Sequence, residues 1–133
     1  MFPNQGKVLK PYLVYKDTPV PEIWIEDACT QETAETVEDA MKAVISSEHG
    51  TGHAAMRSDI TLAGKTGTAE IKASKEDTSG TELGWFAVYT ADKDMQKPVL
   101  MVSMVEDVKN AGGSGLVVRK SRDVLGAYIP SGQ

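Results

Sequence analysis

Cys29 is the only cysteine in the chain, so no disulfide can form within it and no thiolate cluster is available to a metal. Histidine is nearly as scarce, with His49 and His53 alone. Lysine and arginine total 14 against 19 acidic residues, and the net charge of -5 is spread along the sequence. No basic run offers a footprint for nucleic acid or anionic lipid, which excludes nucleic acid as the expected partner. No stretch approaches the roughly 18 consecutive apolar residues that a membrane span needs. Met1-Phe2-Pro3-Asn4 has neither the charged start nor the apolar centre of a secretory signal. The chain itself is therefore expected to be soluble, and it contains no internal repeat or low-complexity segment.

What remains is the composition of a globular protein: 41% hydrophobic and 25% charged residues over 133 positions. At that size about two thirds of the unfolded surface can be buried, enough for a real core.

Residues 1–26 read as extended. Gly6 opens a run through Val8, Leu9, Tyr12, Leu13, Val14 and Tyr15, which Pro11 interrupts, with Pro19 and Pro21 beyond. Proline inside such a run favours an edge strand or a short strand pair. Thr30 then suits an N-cap, with Glu32 and Glu35 in the first turns where the helix dipole favours negative charge. The spacing of Ala34, Val37, Met41, Val44 and Ile45 predicts an amphipathic helix over residues 31–47, with Glu35, Glu38, Asp39 and Lys42 in water. Gly50 and Gly52 end it.

Three strands are expected over residues 62–72, 83–90 and 98–105, joined by polar connections rich in serine, aspartate and glycine. They make an antiparallel meander spanning 62–105. A last helix over 113–129 places Val117, Val124, Leu125 and Tyr128 on one face and Arg119, Arg122 and Asp123 on the other. The fold class is thus α+β, a three-stranded antiparallel sheet packed with two helices.

The most informative string is Leu62-Ala63-Gly64-Lys65-Thr66-Gly67-Thr68-Ala69-Glu70. Gly64-Lys65-Thr66 overlaps the end of a phosphate-binding G-x-x-x-x-G-K-[ST] loop, but Asp59 stands where the first glycine is needed, and strand rather than helix follows Thr66. The other reading is the Lys-Thr-Gly element of serine penicillin-recognising enzymes. On a strand edge, Lys65, Thr66 and Thr68 can hold an extended peptide added as a further strand, and alternation turns Thr66 and Thr68 to one face. Two hydroxyls there can grip a carboxylate. Gly67 lets a backbone approach closely, and Lys65 supplies positive potential. A plain glycine-containing edge strand with a solvated lysine remains the alternative from these letters alone.

The wider sequence favours the enzyme element. Gly6-Lys7-Val8-Leu9-Lys10-Pro11-Tyr12-Leu13-Val14, Lys65 to Glu70, Gly84-Trp85-Phe86-Ala87 and the final helix resemble, in order and spacing, the end of class B penicillin-binding protein transpeptidase domains. The resemblance covers essentially the whole chain, and Gly64 to Lys72 with Gly84-Trp85-Phe86 looks closest to the low-affinity, methicillin-resistance-like subgroup. It implies the C-terminal portion of a serine β-lactamase-like fold and a D,D-transpeptidase that cross-links peptidoglycan at the outer face of the bacterial cytoplasmic membrane. Lys65 would then be the catalytic lysine of the third motif, with Thr66, Gly67 and Thr68 binding substrate. The implied partners are the peptidoglycan stem peptide and β-lactams, with no cofactor and no metal.

The departure from the family is as telling. None of Ser46, Ser47, Ser58, Ser74, Ser79, Ser103, Ser114, Ser121 and Ser131 begins Ser-x-x-Lys or Ser-x-Asn. The expectation is a chain that starts inside the domain, inactive alone and prone to self-association. A non-catalytic module that binds a peptide carboxylate is the alternative function, and a nucleotide-binding protein the third.

Other residues carry weaker signals. His49 and His53 have the spacing of a helical zinc pair, but glycines lie between them and no glutamate follows His49, so loop histidines are expected. Trp85 and Phe86 fall on opposite faces of a strand, which puts at least one in the core. Glu106 and Asp107 read as a solvated strand end. Cys29 reads as a small buried filler.

Overall fold

The computed structural model describes residues 1–14, 20–95 and 98–130. Two compact units divide it, Met1–Ala40 and Met41–Gln133.

In the first unit a 3-10 turn, Phe2–Asn4, precedes β1 (Val8–Leu9) and β2 (Ile23–Ile25), an antiparallel pair with a register irregularity between Val8 and Leu9. This is the short strand pair that the prolines predict. Tyr15 and Pro19 of that reading lie outside the described residues. Lys7 pairs with Glu26, and Lys10 Nζ lies 3.0 Å from Glu22 Oε1. All four groups are exposed, so water and salt screen both pairs and neither contributes much to stability.

Helix α1 runs Gln31–Ser46. The backbone N–H of Thr33 donates to Thr30 Oγ1 at 3.2 Å, the N-cap that the sequence predicts. Ala34 and Ile45 are buried, whereas Glu38 and Lys42 are half-buried rather than fully in water.

The second unit holds the meander: β3 (Leu62–Ile71), β4 (Thr81–Thr90) and β5 (Leu100–Val105), all antiparallel, in the order β3-β4-β5. The third strand starts two residues later than the pattern of 98–105 suggests, but Val99 is already tied to β4. Its N–H donates to Thr90 Oγ1 and its carbonyl accepts from the Thr90 N–H, each at 3.0 Å. Helix α2 (Ser114–Tyr128) follows Gly113, whose φ of 58° suits glycine at the helix entry.

Cross-strand partners share a face, so Leu62, Gly64, Thr66 and Thr68 sit with Gly84, Phe86 and Val88. That face meets Ile45, Ala55, Val108, Val117, Val118 and Leu125 in one core. The expected apolar face of α2 needs correction. Val117 and Leu125 are buried, but so are Val118 and Ser121, while Val124 and Tyr128 are 58% and 55% exposed. Residues 117, 118, 121 and 125 follow helical spacing, and polarity hid the third of them. Ser121 enters the core because its hydroxyl donates to Ser103 Oγ at 2.9 Å. Among the described residues no helix is long and apolar enough to cross a membrane.

Candidate active site

β3 lies at an end of its sheet, so among the described residues one of its two edges is occupied and the other open. The Thr61 carbonyl accepts from the Ala91 N–H at 2.9 Å, which fixes the odd-numbered backbone groups toward β4. By the alternation of an antiparallel ladder, the N–H and C=O groups of Gly64, Thr66, Thr68 and Glu70 turn to the open edge.

Lys65, Thr66, Gly67 and Thr68 occupy the middle of that edge. Lys65 is exposed, and its Nζ donates to the Thr66 carbonyl at 2.6 Å, on the open side of the strand. The Thr66 side chain is turned inward and buried, with Oγ1 2.7 Å from Thr51 Oγ1. Thr68 shares the face of Thr66 but is exposed. Gly67 is half-buried, and a Cβ there would meet only Trp85 Cβ, at an ordinary 3.6 Å. The chain's own packing therefore does not require glycine at this position.

The charge beside these groups is managed locally. Glu70 pairs with Lys72, and the hydrogen bond from Lys72, then its charge, holds the Glu70 carboxyl below the usual range. An uncompensated carboxylate two positions from Thr68 would oppose an anionic ligand.

Two surface clefts lie elsewhere. One is lined by Ser46, Arg57, Asp59, Thr61 and Asp92, the other by Lys72, Lys75, Asp77, Thr78 and Lys109; neither includes residues 65–68. In the first, Arg57 Nη2 lies 2.5 Å from Asp59 Oδ2, and Arg57 Nη1 donates to the Ile129 carbonyl at 2.6 Å. Hydrogen bonding to Arg57 holds the Asp59 carboxyl below its ordinary value. These are contacts that fasten the C-terminal end of α2.

The remaining candidates separate. His49 is exposed, while a ring nitrogen of His53, Nδ1, sits 3.0 Å from the Ile45 carbonyl, where it donates. His53 is thus a half-buried structural group rather than a solvated one. Among the described residues no group of three or more His, Cys, Asp or Glu side chains could hold a metal. Phe86 is fully buried and Trp85 is 39% exposed on the opposite face. Asp107 accepts from the Thr81 hydroxyl at 2.9 Å, and Cys29 is half-buried. Because β3 continues unbroken to Ile71, no helix N-terminus follows Thr66, and the phosphate-loop reading fails on geometry. Thr51 was not among the predicted site residues. Its only signal in the sequence is a threonine held between two glycines.

An α+β unit with Lys-Thr-Gly on the end strand of its sheet has one of the three sequence elements that serine penicillin-recognising enzymes combine. The sequence matches the family described as penicillin binding protein transpeptidase domain over residues 1–125. It is 38% identical over 121 residues to penicillin-binding protein 3 of Bacillus subtilis (strain 168), covering 91% of this chain and 18% of that protein. The fold is similar to that of the transpeptidase domain of Burkholderia pseudomallei penicillin-binding protein 3, with a TM-score of 0.67 at 18% identity, over 99% of this chain and 41% of that one. A crystal structure described as a peptidoglycan glycosyltransferase from Atopobium parvulum DSM 20469 gives a TM-score of 0.68 at 18% identity, over 97% and 31%. This chain belongs to the penicillin-binding protein transpeptidase domain family. It spans less than half of each of these relatives.

Proposed function

We propose that the chain forms one wall of a D,D-transpeptidase active site that cross-links peptidoglycan stem peptides and is acylated by β-lactams. The carrying observation is the open edge of β3, where Lys65 Nζ and the outward backbone groups of Thr66 and Thr68 converge. In this reading a serine supplied by other residues of the domain attacks the D-Ala-D-Ala peptide bond to form an acyl-enzyme. Lys65 organises that serine site. The substrate lies along β3 as an added strand, with Gly67 leaving room for its backbone. The hydroxyls of Thr66 and Thr68 hold its carboxylate, and the outward N–H of Thr68 is one oxyanion-hole donor. Such a donor contributes about 2.7–4 kcal/mol of transition-state stabilisation.

Ser-x-x-Lys and Ser-x-Asn elements are absent from this sequence. They are expected upstream in the same domain, and the complete enzyme is expected at the outer face of the bacterial cytoplasmic membrane. The test is acylation of the full-length protein by a labelled penicillin, followed by mapping of the modified serine. Modification at a Ser-x-x-Lys serine that is greatly slowed by Lys65→Ala supports the proposal. A full-length protein without that element, binding acyl-D-Ala-D-Ala peptide but never acylated, would instead be a peptide-carboxylate-binding module.

A further inference from the structure

Thr51 lies in the turn between α1 and β3, and its neighbours tie it to the end of that helix. The N–H of Gly50 donates to the Ser47 carbonyl at 2.9 Å, and the N–H of Gly52 donates to the Val44 carbonyl at 3.0 Å. The His53 N–H closes the turn on the Gly50 carbonyl at 3.0 Å. Thr51 is itself exposed, yet its hydroxyl reaches the buried Thr66 hydroxyl at 2.7 Å across 15 residues of sequence. The buried Thr66 hydroxyl needs a partner, and the Thr51 hydroxyl supplies one.

Each threonine hydroxyl carries one proton and can accept as well as donate. In the free chain the Thr51–Thr66 hydrogen bond can run either way. A carboxylate only accepts. A Thr66 that donates to a substrate carboxylate has no proton left for Thr51, so Thr51 must then donate to Thr66. We infer that Thr51 is a positioning residue for substrate recognition: its hydroxyl donates to Thr66 Oγ1, fixes the rotamer of that side chain, and leaves the Thr66 proton for the ligand carboxylate. The two hydroxyls then form a directed chain, in which each bond polarises the next. This inference rests on the assignment of Thr66 made above.

The test is made in the full-length protein with Thr51→Val, which keeps the shape and removes the hydroxyl. The two probes are a β-lactam with a free carboxylate and the same compound with hydrogen in place of that carboxylate. Thr51→Val is expected to slow acylation by the acid form roughly fivefold, the size of one lost hydrogen bond between neutral groups. The probe without the carboxylate should react equally with both proteins, and Thr51→Ser should restore the original rate. Thr51→Ala repeats the comparison should Thr51→Val lower the melting temperature. Equal losses with both probes, or no recovery in Thr51→Ser, would make the contact merely structural and overturn the inference. Thr66→Val separates the two levels of the argument. If it abolishes discrimination between the probes while Thr51→Val does not, the role of Thr51 is wrong and that of Thr66 stands. If Thr66→Val leaves discrimination intact, the Thr66 assignment fails and the inference falls with it.

Discussion

Val117 of α2 is seated directly over Gly84: a Cβ built on that glycine would come within 2.8 Å of Val117 Cγ2 and 3.1 Å of both Val108 methyls. Gly84 is also the cross-strand partner of Thr68. The close approach of helix to sheet therefore occurs opposite the exposed threonine of the Lys-Thr-Gly-Thr edge. Gly84→Ala forces either α2 or β4 to move, an overpacking that costs about 1–3 kcal/mol. Urea unfolding should show a lower midpoint with an unchanged slope, and Gly67→Ala, where the added carbon meets only Trp85 at 3.6 Å, should leave the midpoint near its original value.

Asp77 gives a pH dependence whose sign is fixed. The Ser79 hydroxyl, then the Ala73 and Ser79 N–H groups, stabilise its carboxylate and hold its pKa down to about 2. A carboxyl depressed in the folded state from the ordinary aspartate value of 3.8 contributes stability that is present above that value and lost as pH falls toward 2. The difference in melting temperature between the original chain and Asp77→Asn should be constant above about pH 5 and shrink between about pH 4 and 2. Ser79→Ala should raise the Asp77 pKa, which a carboxyl NMR titration reads directly.

The meander was legible as three apolar runs parted by polar, turn-rich connections, and the helices as apolar residues at helical spacing. The Thr30 cap is a local rule. The burial of Ser121 was not legible, since it depends on Ser103 arriving from β5 as a partner. The same holds at the site. Lys65, Thr66, Gly67 and Thr68 stand together in sequence, so their edge could be read directly. Thr51 is a plain threonine until the turn after α1 brings it against Thr66, and no periodicity reports that.

Lys65 and His49 make a contrast for the full-length protein. Lys65 Nζ stands at the open edge against the Thr66 carbonyl, whereas His49 is exposed in the segment after α1. Lys65→Ala should slow acylation by about two orders of magnitude or more, the scale of losing one electrostatic group beside a reacting centre. His49→Ala should leave the rate within error. Equal effects in stopped-flow acylation would mean that the site lies elsewhere.

The isolated chain should be inert toward a labelled penicillin. It carries Lys65, Thr66 and Thr68 but no serine in a Ser-x-x-Lys setting. Intact-mass spectrometry after prolonged incubation should show the unmodified mass, and a stoichiometric covalent adduct would refute the assignment of roles.

The last expectation concerns the free chain in solution. On the sheet face opposite α2, Trp85, Leu100, Val102 and Met104 are 39%, 70%, 62% and 42% exposed. They are also neighbours across β4 and β5, because Trp85 pairs with Met104 and Ala87 with Val102. Among the described residues no further strand pairs with the outer edge of β5 or of β3, so unpaired backbone groups border the same apolar face. An open edge beside exposed apolar side chains is a template for another chain. The isolated chain should therefore associate with itself as its concentration rises, and Val102→Lys, which places a charge on that face, should shift it toward monomer without loss of helix. Size-exclusion chromatography with light scattering over a concentration series, beside thermal melting, decides the matter. A monomer at every concentration with a sharp, high melting transition would show that this face and these edges do not drive association.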